Sequence, residues 1–274
     1  MYDATPDPIR DYLHYREAGT GGQKPLGEAS LTHYEGILRR MDYGLDHGVL
    51  GSTGAELRAW ICAEGRGKAT RANYITIVRG YTRWAVLNGW IDYDAAAELP
   101  HITPPKGRPK PLPEDALAKI RVKAHDPWAL AIDLAAYAGA RCIEISRLDR
   151  EHVTESVTRL HGKGDRYRDV PTHANVWERV KGMPSGPLVI APRTKVRATP
   201  QQVSHGVRWE MRRLGYPGYH NHMGRHRFGT KLYEASGNDL RATQEGLGHS
   251  SVATTQIYVG VAAGKLANAV AALA

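Results

Sequence analysis

The chain has 274 residues, 42% hydrophobic and 24% charged, which is enough apolar material for a substantial core and for two domains. Its 37 lysines and arginines against 28 acidic residues leave a formal charge of +9, favouring an anionic partner with nucleic acid as first candidate. Two cysteines, Cys62 and Cys142, exclude a disulfide scaffold and a four-cysteine zinc site within one chain. No apolar run approaches the roughly 18 residues of a membrane span, and the polar, acidic N-terminus is no signal peptide, so a soluble, intracellular protein without a membrane partner is expected.

The first hundred residues read as helical throughout. Leu31, Tyr34, Leu38 and Met41 share one face, and Leu57, Trp60 and Ile61 repeat the pattern behind a Thr53–Glu56 capping box. Tyr74, Ile77, Val78, Tyr81, Trp84 and Ala85 form a sustained stripe that Asn88-Gly89 ends; these aromatics are read as core, not as base-stacking platforms. The outward faces carry Arg39, Arg40, Arg66, Lys68, Arg71, Arg79 and Arg83, which can meet phosphates but also suit a solvated helix face.

Charge and proline locate a boundary. Residues 1–100 hold 11 basic and 13 acidic side chains, 101–112 hold three basic and no acidic ones (Lys106, Arg108 and Lys110), and 113–274 hold 23 basic and 15 acidic. Pro104, Pro105, Pro109 and Pro111 keep the middle segment extended, because proline fixes φ and has no N–H to donate. Two domains, 1–100 and 113–274, joined by a basic strap at 101–112 are expected.

Beyond the strap, Leu112-Pro113-Glu114-Asp115 opens an amphipathic helix to about Lys123. Asp126-Pro127 reads as an N-cap and a first-turn proline for an alanine-rich helix ending near Gly139. Stretches 157–160 and 167–170 flank a glycine-rich turn as a hairpin, and helix dominates again from Thr199. The expected class is mainly α with a small antiparallel β-sheet.

Four clusters hold phosphate-capable groups. In Gly139-Ala140-Arg141-Cys142-Ile143-Glu144 an arginine among small and apolar residues is part-buried and requires an anion, while Glu144 three positions on can orient it; an ordinary buried ion pair has the same pattern. Lys163 stands between Gly162 and Gly164 at the hairpin tip, where lysine is also routine, and no P-loop motif surrounds it. His220, His222 and His226 invite a zinc reading, but no carboxylate lies between them and Arg225 and Arg227 repel a cation. His222 with Arg225 one turn on instead offers a base and a cation to a phosphate. Tyr258 follows the Gly248-His249 turn by nine residues.

In this order the clusters resemble the tyrosine recombinases of phage integrase type. The pattern G-x-R-x-x-E stands at 139–144, G-K-G at 162–164, H-x-L-R-H-x-F-A-T at 222–230 with Gly224 for leucine and Gly229 for alanine, and L-G-H-x-S-x-x-T-T-x-x-Y at 247–258. The two glycines are expected to loosen the helix there, at about 1 kcal/mol each against alanine. Around 81–91 the chain is similar to the end of the family's core-site DNA-binding domain.

The resemblance implies a helical core-site DNA-binding domain, an α+β catalytic domain with a C-terminal tail helix, and the short form without an arm-type DNA-binding domain. It implies Tyr258 as nucleophile, His222 as base, Lys163 as general acid, Arg141, Arg225 and His249 as phosphate ligands, and Glu144 in support, with no metal, cofactor or ATP. Arg39, Arg40, Lys68, Arg71, Arg79, Arg83, Lys106, Arg108 and Lys110 are the expected DNA contacts. The partners implied are double-stranded attachment sites and three further copies on DNA, the free chain being a monomer, with host or phage accessory proteins that bend DNA or set direction. The place of action is the host cytoplasm. The apolar stripe Leu266, Ala269, Val270 and Leu273 suits docking on a neighbouring copy or on its own domain. Type IB topoisomerase-like relaxation and a DNA-binding module without catalysis are the competing readings.

Overall fold

A computed structural model describes residues 6–63, 65–104, 107, 109–162, 164–249 and 255–257. The chain forms two compact units, residues 1–106 and 107–274, dividing within the proline-rich segment.

In the first unit the helices are α1 (Pro8–Ala18), α2 (Glu28–Tyr43), the single turn α3 (Gly48–Gly51), α4 (Gly54–Ile61) and α5 (Lys68–Leu87), followed by a short 3-10 turn at Ala95–Glu98. Their ends follow local chemistry. The Asp7 carboxylate accepts the Arg10 N–H ahead of Pro8, the Thr53–Glu56 capping box opens α4, and Asn88 with left-handed Gly89 stops α5. The predicted stripe of α5 is the middle of the core: Ile77, Val78, Tyr81 and Ala85 are fully buried against Ile37, Leu38 and Met41 of α2. Tyr12 packs its ring 5.3 Å from Tyr81 and 5.6 Å from Trp84, so these aromatics are core, as expected.

The second unit begins with α6 (Glu114–Lys123) and is built around α7 (Trp128–Tyr137). Every residue from Ala129 to Ala136 is buried, which explains an alanine-rich helix with no polar face. Around it lie α8 (Cys142–Arg147), α9 (Ala174–Val180), α10 (Pro200–Arg213) and α11 (Asn221–Ala235), with α12 (Leu240–Leu247) on α11. Strands β1 (Val157–His161) and β2 (Tyr167–Pro171) form an antiparallel pair in register Val157↔Pro171 through His161↔Tyr167. Thr158, Leu160 and Val170 point into the core.

One start signal was misread. Asp126 does not cap α7; Pro127 holds the capping position without a side-chain bond, and the Asp126 carboxylate instead meets Arg179 Nη1 at 3.3 Å. A proline in that position leaves the orphan amides of the first turn to solvent and to backbone, and Ala129 N–H bonds the His125 carbonyl at 3.0 Å. Among the described residues no helix is long and apolar enough to cross a membrane.

Candidate active site

The site grows from a turn, a helix start and a helix end. Gly139 adopts φ +63°, and a Cβ there would fall 2.5 Å from the Phe228 ring, so only glycine fits between α7 and α8. The turn delivers Arg141 to the capping position of α8. The Glu144 carboxylate accepts the Arg141 backbone N–H at 2.7 Å and Arg141 Nη1 at 2.8 Å, which aims the guanidinium. About a third of the Arg141 side chain (37%) stays exposed.

Glu144 is fully buried and is the hub of the cluster. Arg168 of β2 meets it as a fork, Nη1 on Oε1 and Nη2 on Oε2 (3.0 Å), and Arg225 of α11 stands 4.0 Å away. Burial alone pushes the carboxyl up, but the Arg168 and Arg141 hydrogen bonds and charges outweigh it and hold Glu144 below the usual carboxylate range. Arg225 is itself buried, and its terminal nitrogens donate to the Gly139 carbonyl and to that of Leu247 (2.6 Å).

His222 lies one turn before Arg225 on α11, its ring 4.4 Å from that of His226 in an edge contact. Desolvation, then the charge of Arg225, lowers the pKa of His222. Burial and the neighbouring His222 and Arg225 take His226 down to about 4, and burial with Arg225 and Arg141 does the same for His249. All three are neutral at pH 7. His249 Nδ1 is 2.9 Å from the buried Thr255 hydroxyl.

The structure thus brings Arg141, Glu144 and Arg225 into one cluster, links His249 to it through the end of α12, and puts His222 on the helix of Arg225. Lys163, Tyr258 and the stripe at 266–273 lie outside the described residues, as do Lys106 and Arg108. At the base of the Lys163 hairpin, Gly162 is fixed by its N–H on the Arg166 carbonyl (2.7 Å) and its carbonyl under Arg147 Nη1 (2.6 Å). His220, His222 and His226 join no group of three metal-ligating side chains among the described residues. In the first unit Arg40, Lys68 and Arg83 are exposed and Arg71 is half-buried, as Lys110 is exposed in the second. Arg39 forks onto Asp7 (3.0 and 2.6 Å) with 44% of its side chain exposed, and Arg79 donates to the Ala96 and Leu99 carbonyls.

Sequence reasoning missed Arg168. Its signal was the strand alternation: in β2 it shares a face with buried Val170, and a charge on the core face of a strand requires a buried partner. The helix α11 runs unbroken through Gly224 and Gly229. A Cβ at Gly224 would sit 3.0 Å from that of Ala135 and 3.3 Å from the Ala136 nitrogen, so this glycine lets α11 and α7 approach.

Comparison with known proteins agrees with this architecture. The model of the phage integrase family matches residues 113–265. Tyrosine recombinase XerC of Mycobacterium leprae is 32% identical, over 92% of this chain and 90% of that protein, and XerC of Azotobacter vinelandii is 34% identical over 71% and 70%. Two solved structures share the fold. A lambda integrase dimer bound to a COC′ core site has a TM-score of 0.69 at 20% identity, covering 89% of this chain and 95% of that one. XerH site-specific recombinase in a post-cleavage complex with palindromic difH has 0.71 at 18%, covering 96% and 94%. The chain belongs to the phage integrase family of tyrosine recombinases. It is a site-specific recombinase that cuts and rejoins DNA.

Proposed function

We propose that the second unit performs this chemistry with Tyr258 as nucleophile. The observation that carries the reading is the Glu144 hub, which gathers Arg141 and Arg225 beside His222 and His249. The Tyr258 oxygen attacks a DNA phosphorus while its proton passes to neutral His222, and the bond to the 5′-oxygen breaks as Lys163 protonates it. The products are a 3′-phosphotyrosine and a free 5′-hydroxyl. Arg141 and Arg225 bond the non-bridging oxygens of the five-coordinate transition state, and His249 donates a further hydrogen bond. Attack by a 5′-hydroxyl from a partner duplex reverses the step, so rejoining needs no ATP.

In the same reading the first unit binds the core of an attachment site with Arg40, Lys68, Arg71 and Arg83, and four copies act on two sites to integrate or excise phage-type DNA in the host cytoplasm. Phosphate contacts then make affinity fall steeply with salt. The test is a nicked suicide duplex whose core is selected from a randomised pool by binding to the wild-type chain. Wild type is expected to form a covalent adduct on it and Tyr258→Phe none. An adduct that persists in the Phe variant overturns the nucleophile assignment.

A further inference from the structure

Three consecutive carbonyls at the end of α12 each accept from a different arginine: Gly246 from Arg168 Nε (3.2 Å), Leu247 from Arg225 Nη2 (2.6 Å) and Gly248 from Arg141 Nη2 (3.5 Å). A helix end leaves such carbonyls without intrahelical donors and gathers partial negative charge there, so three cations form a natural clasp. Two of the three arginines already have a role toward the phosphate. Arg168 has none, yet it is the most widely bonded. Its Nη2 reaches the Gly139 carbonyl at 3.1 Å as well as Glu144, and its side chain is 11% exposed against 37% for Arg141. Left-handed Gly248 lies over its stem so closely that a Cβ there would be 2.8 Å from Arg168 Cδ.

We infer that Arg168 is a positioning residue for strand cleavage: it neutralises Glu144 and grips Gly246, holding the α12 end and His249 against the Arg141–Arg225 pair without touching DNA. The inference rests on the roles proposed above for Arg141, Arg225, His249 and Tyr258. Its physical core is charge balance. A fully buried carboxylate must be compensated, and Arg168 meets both oxygens of Glu144. Arg141 therefore spends one nitrogen on Glu144 and keeps a solvent-facing side for a phosphate. With Arg168 gone, Glu144 draws on the two arginines that the phosphate needs and competes with it for their donors. At the same time the Gly246 carbonyl loses its donor and the chain leading to His249 loses a tether.

Four variants test this on the selected nicked duplex: Arg168→Met, Arg168→Lys, Glu144→Gln and the double variant Arg168→Met/Glu144→Gln. Binding is read as Kd and chemistry as the single-turnover rate of adduct formation. Arg168→Met is expected to slow adduct formation by roughly 10- to 100-fold, the scale of a small misplacement of reacting groups, with Kd changed less than about threefold. Lysine, a point charge without a fork, restores part of the rate. The double variant is faster than Arg168→Met, since removing the carboxylate removes the competition. An Arg168→Met rate within about threefold of wild type overturns the inference. So does a double variant no faster than Arg168→Met, and where Arg168→Met does not fold, an Arg168→Lys rate equal to wild type overturns it, because lysine cannot supply the fork. Failure of the underlying reading looks different: wild type then forms no adduct, or Tyr258→Phe forms one.

Discussion

Two carboxylates in the second unit are equally buried and behave in opposite ways. Asp133 of α7 takes one bond from Arg121 Nε of α6 (2.9 Å) and one from Arg179 Nε of α9 (2.6 Å). Glu144 of α8 takes a fork from Arg168, a further guanidinium bond from Arg141 and a backbone N–H. Burial dominates at Asp133 and pushes its pKa up despite both arginines, whereas at Glu144 the donors outweigh burial and hold it down. Equal burial does not fix the direction of the shift; the number and aim of the donors set against it do. Asp133 bolts three helices together, and Glu144 divides its charge among Arg168 of a strand, Arg141 at a helix start and, at 4.0 Å, Arg225 of α11.

Replacing each carboxylate by alanine separates the two most sharply. Leaving the buried Arg168 and Arg225 uncompensated at Glu144 destabilises by about 3–5 kcal/mol, and the part-exposed Arg121 and Arg179 at Asp133 make the loss there smaller. Glu144→Ala is expected to reduce adduct formation more than about 100-fold, while Asp133→Ala cleaves at the wild-type rate per folded molecule. A selective loss at Asp133 would erase the distinction.

Acid gives a smaller, signed effect. For Glu144 the unfolded chain binds its proton first as pH falls through the ordinary carboxylate range, and for His226 and His249 it does so between about 6.5 and 4, so all three withdraw stability on acidification. Asp133 binds its proton first in the folded state and opposes that loss. Thermal unfolding followed from pH 7 down to about pH 3, through the ordinary carboxylate range, should therefore show a shallower loss in Glu144→Gln and a steeper one in Asp133→Asn than in wild type.

The smallest effect belongs to a third pair. Arg159 forks onto Asp169 across the hairpin at 2.9 Å for both bonds, better geometry than Asp133 enjoys, but with both side chains in water. Arg159→Ala is expected to leave the melting temperature unmoved, because solvent screens such pairs.

Where periodicity or a fixed motif carried the information, the sequence was readable. The α5 stripe, the Thr53–Glu56 box and the 157–171 hairpin follow from repeats of 3.6 and 2 and from local side-chain bonds. The gathering of Arg141, Glu144 and Arg225 in one cluster followed a resemblance in spacing. What escaped notice depends on contacts between distant segments. Arg168 joins a strand to a helix start 24 residues before it and a helix end 78 after it, so no local window contains its reason. Asp126 failed for the opposite reason: a good capping residue was taken up by Arg179, 53 positions away. Arg79 looked like a surface cation on its helix and is spent on carbonyls beyond the helix end.

Gly224 has a consequence for anyone seeking to stabilise this enzyme by family averages. Restoring the family's leucine at that position looks favourable, since it replaces a poor helix former with a good one. Here the space is already occupied by Ala135 and by the main chain of Ala136, which cannot rotate aside as a side chain can. Overfilling a packed contact costs about 1–3 kcal/mol, more than the helix propensity returned. The helix forced to move carries His222 and Arg225. Gly224, Ala135 and Ala136 form one compatible set, and a variant that borrows a bulky residue at one of them must borrow its neighbours too.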